Sequence, residues 1–132
     1  MTEMKVENLP KDHPQRIAYT KINIGDIEVY VSTIDLREAK YNADPDIALF
    51  LLFTDSYILN AREKYETAIY MPTDEDNKDV DIVIVEGYHH LSDAIKGHEK
   101  WVKRILKGQT RFKDFRTGDV LEIHKRHYSD GG

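Results

Sequence analysis

Three histidines and one acid are the residues of this chain best equipped for proton or metal chemistry: His89, His90, His98 and Glu99. Imidazole titrates near neutral pH and ligates metals, and a carboxylate beside it can relay a proton. A small hydrolase or nuclease centred on His89, His98 and Glu99 is therefore one reading. Spacing argues against a shared metal ion. His90 and His98 are eight residues apart, about 12 Å along a helix axis and pointing broadly the same way, whereas one ion needs helical spacings of three or four. His89 with His124 or His127 could still complete a site. The plainer reading makes His98 a core residue that donates to a backbone carbonyl, its ring filling the space that Gly97 leaves open.

Other chemistry is thinly represented. The acidic run Asp74, Glu75, Asp76, Asn77 and Asp79 invites a calcium reading, because hard cations want clustered oxygens. Lys78 falls where a ligand is needed and no glycine makes the sharp turn, so a solvated hairpin loop accounts for it better. The chain has no cysteine, which excludes disulfides, thiolate catalysis and cysteine-ligated zinc. It also lacks a glycine-rich phosphate loop, G-x-S-x-G and H-E-x-x-H. No cofactor is implied. Arg104, Arg111, Lys113 and Arg116 are candidate contacts for an anionic or nucleotide ligand. The chain has eight tyrosines, of which Tyr19, Tyr30 and Tyr128 are candidate interface residues, since tyrosine contributes contact area at low entropic cost.

The elements that must position these residues centre on Val80 to Gly108: an apolar strand, a short turn and an amphipathic helix. Ala94, Ile95, His98, Trp101, Val102, Ile105 and Leu106 recur at steps of three and four, which puts them on one stripe. Lys96, Glu99, Lys100, Lys103 and Lys107 form the opposite, solvated face. Asp93 in the first turn and basic residues in the last suit the helix dipole, and Gly108 is a natural stop. Gly97 is the misfit, since glycine costs a helix roughly 0.5–1 kcal/mol relative to alanine. Its presence predicts a bulky ring or backbone passing close, supplied by the adjacent strand.

Upstream, Arg16 to Ile24 and Ile27 to Leu36 are rich in β-branched and aromatic residues, and Gly25-Asp26 between them signals a hairpin. Residues 37–46 read as a polar connection. For 47–59 (IALFLLFTDSYIL) strand is favoured over helix. Glu66 to Met71 should pair antiparallel with Val80 to Tyr88, and a last strand is expected near 119–124. The fold class is α+β: an antiparallel β-sheet built of hairpins with one long amphipathic helix packed across it. The expected division is a short N-terminal arm at 1–15, a single domain at 16–124 and a C-terminal tail at 125–132.

A chain of 132 residues, 40% hydrophobic, can bury one modest core. No stretch is apolar and long enough for a membrane span, and the N-terminus has no signal-peptide core, so a soluble cytoplasmic protein without membrane partners is expected. The net charge of −5 conceals a division. Residues 96–126 hold ten Lys or Arg against four acids, while residues 1–95 hold nineteen acids against nine bases. Such a dipole suits head-to-tail association of identical subunits, or closes within the monomer. Nucleic acid ranks below protein as a partner, because the basic residues read mostly as a solvated helix face with few aromatics such as Phe112 and Phe115.

The strand ETAIY, a variable polar loop, a second strand ending in Tyr88 and the helix opening AIKGHEKWV resemble a pattern of small uncharacterised proteins of tailed bacteriophages, E-T-x-[IV]-[FY] followed by E-A-x-x-G-H-x-x-x-V. Glu66, Thr67, Ile69, Tyr70, Tyr88, Ala94, Gly97, His98 and Val102 carry it, over about residues 65–105. Where the pattern has a capping threonine this chain has His90. The resemblance implies a phage origin and a hairpin-helix unit, but no activity. The favoured expectation is thus a non-catalytic phage protein acting through protein contacts, a virion or assembly component or a small homo-oligomer, found in the host cytoplasm or the virion. The alternatives are an early effector binding a host protein or anionic ligand, and the histidine-dependent enzyme above.

Overall fold

The structure, a computed structural model, describes residues 3–11, 15–36, 63–72 and 80–123. Its elements are β1 (Met4–Asn8), β2 (Arg16–Ile24), β3 (Ile27–Asp35), β4 (Tyr65–Pro72), β5 (Val80–Tyr88), helix α1 (Leu91–Leu106), β6 (Arg111–Lys113) and β7 (Val120–Glu122). The fold is α+β. Five antiparallel strands form one sheet in the order β1-β2-β3-β4-β5, and β6 and β7 form a separate two-stranded ribbon. Helix α1 lies across one face of the sheet, touching β2, β3, β4 and β5. The segment 47–59, the acidic loop at 74–79 and the tail at 125–132 lie outside the described residues.

The hairpin between β2 and β3 closes at Gly25-Asp26, with Ile24 opposite Ile27 and Gly25 in the left-handed region at φ 62°. Alternation then does what period two requires. Thr20, Ile22, Val29, Val31, Thr33, Thr67, Ile69, Met71, Val83 and Val85 are buried on the helix side. A bulge in the β4–β5 pairing sets Thr67 opposite Glu86 and Ala68 opposite Ile84. The extra residue on β5 lets both Val85 and Glu86 serve the helix side.

Within the arm expected at 1–15, the described residues include an edge strand. Met4–Asn8 pairs antiparallel with β2, Met4 opposite Ile24 and Asn8 opposite Thr20. Lys5, Val6, Glu7 and Asn8 are all exposed, so this edge strand is held by its backbone ladder and lacks the apolar alternation that would announce it. The terminal strand also differs from expectation, being half of a ribbon. Phe112 of β6 faces Leu121 of β7, and Phe112 meets Trp101 of α1 edge-on, ring centroids 6.1 Å apart.

Helix α1 buries Ala94, Gly97, His98, Trp101 and Ile105. Ile95 and Leu106, expected on the stripe, are exposed instead, and Gly97 takes a place in it. The reason is the small inward footprint of a helix crossing a sheet: only a narrow stripe reaches the strands. Full burial of a side chain such as Ile105 contributes about 1.5–3 kcal/mol. Gly108, at φ 104°, ends the helix: its N–H bonds to Ile105 O, and Gln109 N–H bonds to Arg104 O. Those two bonds satisfy carbonyls that the last turn leaves open.

The loop after β6 is tied to the outer edge of β5. Asp114 Oδ2 accepts the Ile84 N–H at 3.0 Å, and the Phe115 N–H donates to Ile84 O at 2.9 Å. Asp114 Oδ1 accepts from the N–H groups of Arg116 and Thr117 at 2.8 and 2.9 Å. Burial pushes the Asp114 carboxyl upward, but these backbone N–H groups outweigh it and hold the group below its usual range.

Candidate functional site: a buried polar row and an open sheet face

Helix α1 delivers His98 to the centre of the sheet, where the residue is 5% exposed. Nε2 lies 2.8 Å from Thr20 Oγ1, and Nδ1 lies 2.8 Å from Thr33 Oγ1. Thr33 Oγ1 continues to Thr67 Oγ1 at 2.6 Å, and Tyr88 Oη lies 3.1 Å from Thr67 Oγ1. The same tyrosine hydroxyl reaches Glu86 Oε1 at 3.1 Å, which also accepts from Trp101 Nε1 at 2.8 Å and Lys100 Nζ at 2.5 Å. At the opposite end Thr20 Oγ1 lies 3.3 Å from Asn8 Oδ1. A row of hydrogen-bonded groups thus crosses all five strands beneath the helix.

This row fixes what His98 can do. Burial drives its pKa down to about 4, so the ring is neutral at pH 7. A neutral imidazole has one donor and one acceptor, and two hydroxyls satisfy both in either tautomer. The partners are threonines, where a backbone carbonyl was the expectation. No ring nitrogen remains for a metal or a substrate. Nor does His98 fill the space beside Gly97: a Cβ there would overlap the ring of Tyr88, which comes from the adjacent strand. Of the residues that carry the phage resemblance, Thr67, Tyr88, Gly97 and His98 therefore meet in one cluster.

The proposed catalytic trio is not assembled. His90 is the N-cap of α1 in an extended conformation and makes no side-chain cap bond. His89, His90 and Glu99 are exposed. Eight residues rotate a helix about 80° past two full turns, which parts His90 from His98. Among the described residues no three His, Asp or Glu side chains gather as a metal ion would need. No described helix is long and apolar enough to cross a membrane.

The candidate anion contacts separate in the same way. Arg104 stacks on Trp101, 4.6 Å from the ring centroid. It lines a groove on the outer face of α1 with Lys96, Glu99, Lys100, Lys103 and Lys107. Arg111 pairs across the ribbon with Glu122 at 3.7 Å, and Lys113 is exposed. Arg116 turns to the other side of the molecule, its Nη2 2.9 Å from Glu66 Oε2 and 4.0 Å from Glu63 Oε2.

Two of the three candidate interface tyrosines come together on the sheet face that α1 leaves open. Tyr19, Tyr30 and Tyr70 stack across β2, β3 and β4, with centroids 5.9 and 4.9 Å apart and planes inclined by 28° and 7°. The Tyr19 and Tyr70 hydroxyls are in contact. Arg16 closes the stack, its guanidinium 3.7 Å above Tyr19. Burial, helped by the neighbouring Glu28, pushes the Tyr30 phenol up to about 12. Tyr128 lies outside the described residues. Beside the stack, Val80 and Ile82 are 43% and 52% exposed.

Sequence reasoning missed Thr20, Thr33 and Glu86 and reached Thr67 only through the resemblance. Their signal was present: a threonine at an inward position of each of three strands, among Ile22, Val31 and Ile69, asks for a buried polar partner. Compared with family models, curated proteins and solved structures, the chain matches none of them.

Proposed function

We propose that this is a non-catalytic protein that works through protein contacts, with the open sheet face as its working surface. In the phage setting that the resemblance implies, it would be a virion or assembly component or a small homo-oligomer. The observation that carries this reading is the Tyr19–Tyr30–Tyr70 stack bordered by the exposed Val80 and Ile82. Aromatic residues beside exposed aliphatics have the composition of interface cores. The same stack speaks against a nucleic-acid platform, since the rings turn their faces on one another and on Arg16 rather than toward bases. The enzyme reading loses its support with the enclosure of His98 between two threonines.

Light scattering at tens of micromolar tests the proposal on the full chain. Self-association that weakens in Tyr30→Ser at an unchanged melting temperature is the expected result. A strict monomer at that concentration would count against it. The second reading, an effector that binds an anionic partner, has one observation of its own: the groove on α1 lined by five cations and one acid. Binding of heparin that is lost on charge reversal of Lys103 and Lys107, with self-association absent, would favour it.

A further inference from the structure

On the open face lies a pocket of 340 Å³ between β3, β4 and β5. Its walls are apolar, with Ile34, Ala68, Ile82 and Ile84, and its inner end is polar, with Gln15 and Glu66. That size is at the small end of ordinary ligand sites. The polar end is incompletely bonded. Glu66 is 7% exposed and among the described residues its Oε2 meets only the guanidinium of Arg116, while the buried Oε1 of Gln15 accepts no hydrogen bond. The nearby Arg116 is close to Glu66 Oε2, at 2.9 Å, but out of line, since its Nη2 and Nε also lack an acceptor. Buried acceptors without donors are rare in folded proteins and point to a missing partner.

Charge sets the kind of partner. Glu63, Glu66 and Asp114 face Arg116 at this end, and Arg16 has its guanidinium stacked on Tyr19. Among the described residues, three carboxylates against two guanidiniums leave the site one negative charge in excess. Burial pushes the Glu66 carboxyl up, Arg116 opposes, and Asp114 and Glu63 add to the rise. A cation would relieve that load.

We infer that this pocket binds an alkylammonium group, its carbon stem between Ala68, Ile82 and Ile84 and its ammonium donating to Glu66 Oε2 and Gln15 Oε1. Three N–H donors on a short apolar chain match two acceptors at the end of an apolar slot. The group has two sources, a free amine or the side chain of a lysine on a protein partner.

The test is a titration of the ¹⁵N-labelled full chain, read at the amides of Ala68, Tyr70 and Ile84, with n-butylamine, n-butanol and Nα-acetyl-lysine N-methylamide. The small amine should bind with a dissociation constant on the order of 1 mM, and the alcohol roughly tenfold more weakly. A lysine derivative that binds as well as butylamine identifies a protein side chain as the source; butylamine alone identifies a free amine. Glu66→Gln should erase the preference for amine over alcohol. Because Glu66 is buried, Ile82→Arg serves as the second variant: Ile82 is half exposed, and a cation at the rim should weaken both amines roughly tenfold in a folded protein. Equal binding of amine and alcohol, shifts confined to other residues, or no binding by any probe would overturn the inference. The titration is run at a protein concentration below that at which light scattering detects association, so its outcomes are independent of whether the sheet face self-associates.

Discussion

Gly97 of α1 and Tyr88 of β5 are in direct contact, the tyrosine ring occupying the place where any other residue at 97 would put its Cβ. Helix and sheet are locked in register by that contact, and Tyr88 is thereby placed between Thr67 and Glu86. Gly97→Ala should lower stability by about 1–3 kcal/mol through overpacking, despite the better helix propensity of alanine. Denaturant unfolding measures this. Combined with Tyr88→Leu, the alanine should cost less than it does alone, a coupling that a double-mutant cycle resolves.

His98 should make folding stability sensitive to mild acid. Its folded pKa, about 4, lies below the value of 6.5 for a free histidine. The unfolded chain therefore binds the proton first, and stability is full above pH 6.5 and falls as pH drops toward 4. The loss reaches up to about 3 kcal/mol. An imidazole resonance that titrates near 4, together with a stability profile that flattens over this window in His98→Gln, is the expected pair of results. A ring that titrates near 6.5 in the folded protein contradicts the enclosure described above.

Glu86 gathers Tyr88, Lys100 and Trp101 on one oxygen. Burial raises its carboxyl, but those donors prevail and hold it below the usual range. Stability from this group is present above the unfolded carboxylate pKa and lost as pH falls below it. Lys100→Ala removes a partly exposed ion pair and should cost less than about 1 kcal/mol. Glu86→Ala also leaves the nearly buried Trp101 N–H without an acceptor and should cost about 1–3 kcal/mol. Thermal melts of the two variants rank them.

Asp114 is the clasp between the ribbon and the sheet. Asp114→Ala should destabilise by about 2 kcal/mol, since three backbone N–H groups lose a charged acceptor. Amide exchange offers the sharper measurement: Ile84, Arg116 and Thr117 should exchange faster, while amides of β2 and β3 change little.

How far the fold could be read from the sequence depends on how local each signal is. Gly25-Asp26, the period-two strands around it, the apolar run of β5 and the stop at Gly108 are encoded in neighbouring residues, and each element lies where expected. The misfit of Gly97 was legible too, though only the structure names Tyr88 as its cause. Strand β1 was hidden because Lys5 and Glu7 face solvent and its hold is the backbone. Strand β6 was hidden because Phe112 is a lone apolar residue between charges. The surroundings of His98 were beyond reach, since Thr20 and Thr33 approach it across 78 and 65 residues of chain. For the same reason the tyrosines could be counted but not stacked: the stack exists because the register sets Tyr30 opposite Tyr70.

The order of the sheet bears on how the protein is made. Each strand from β2 to β5 pairs with the one synthesised before it, so the sheet can zip together as it leaves the ribosome, without waiting for distant sequence. Helix α1 comes after all five. Until it emerges, Thr20 and Thr33 lack their imidazole partner, and its arrival both supplies that ring and covers the apolar side, so the step that completes the polar row belongs to the segment that carries His98.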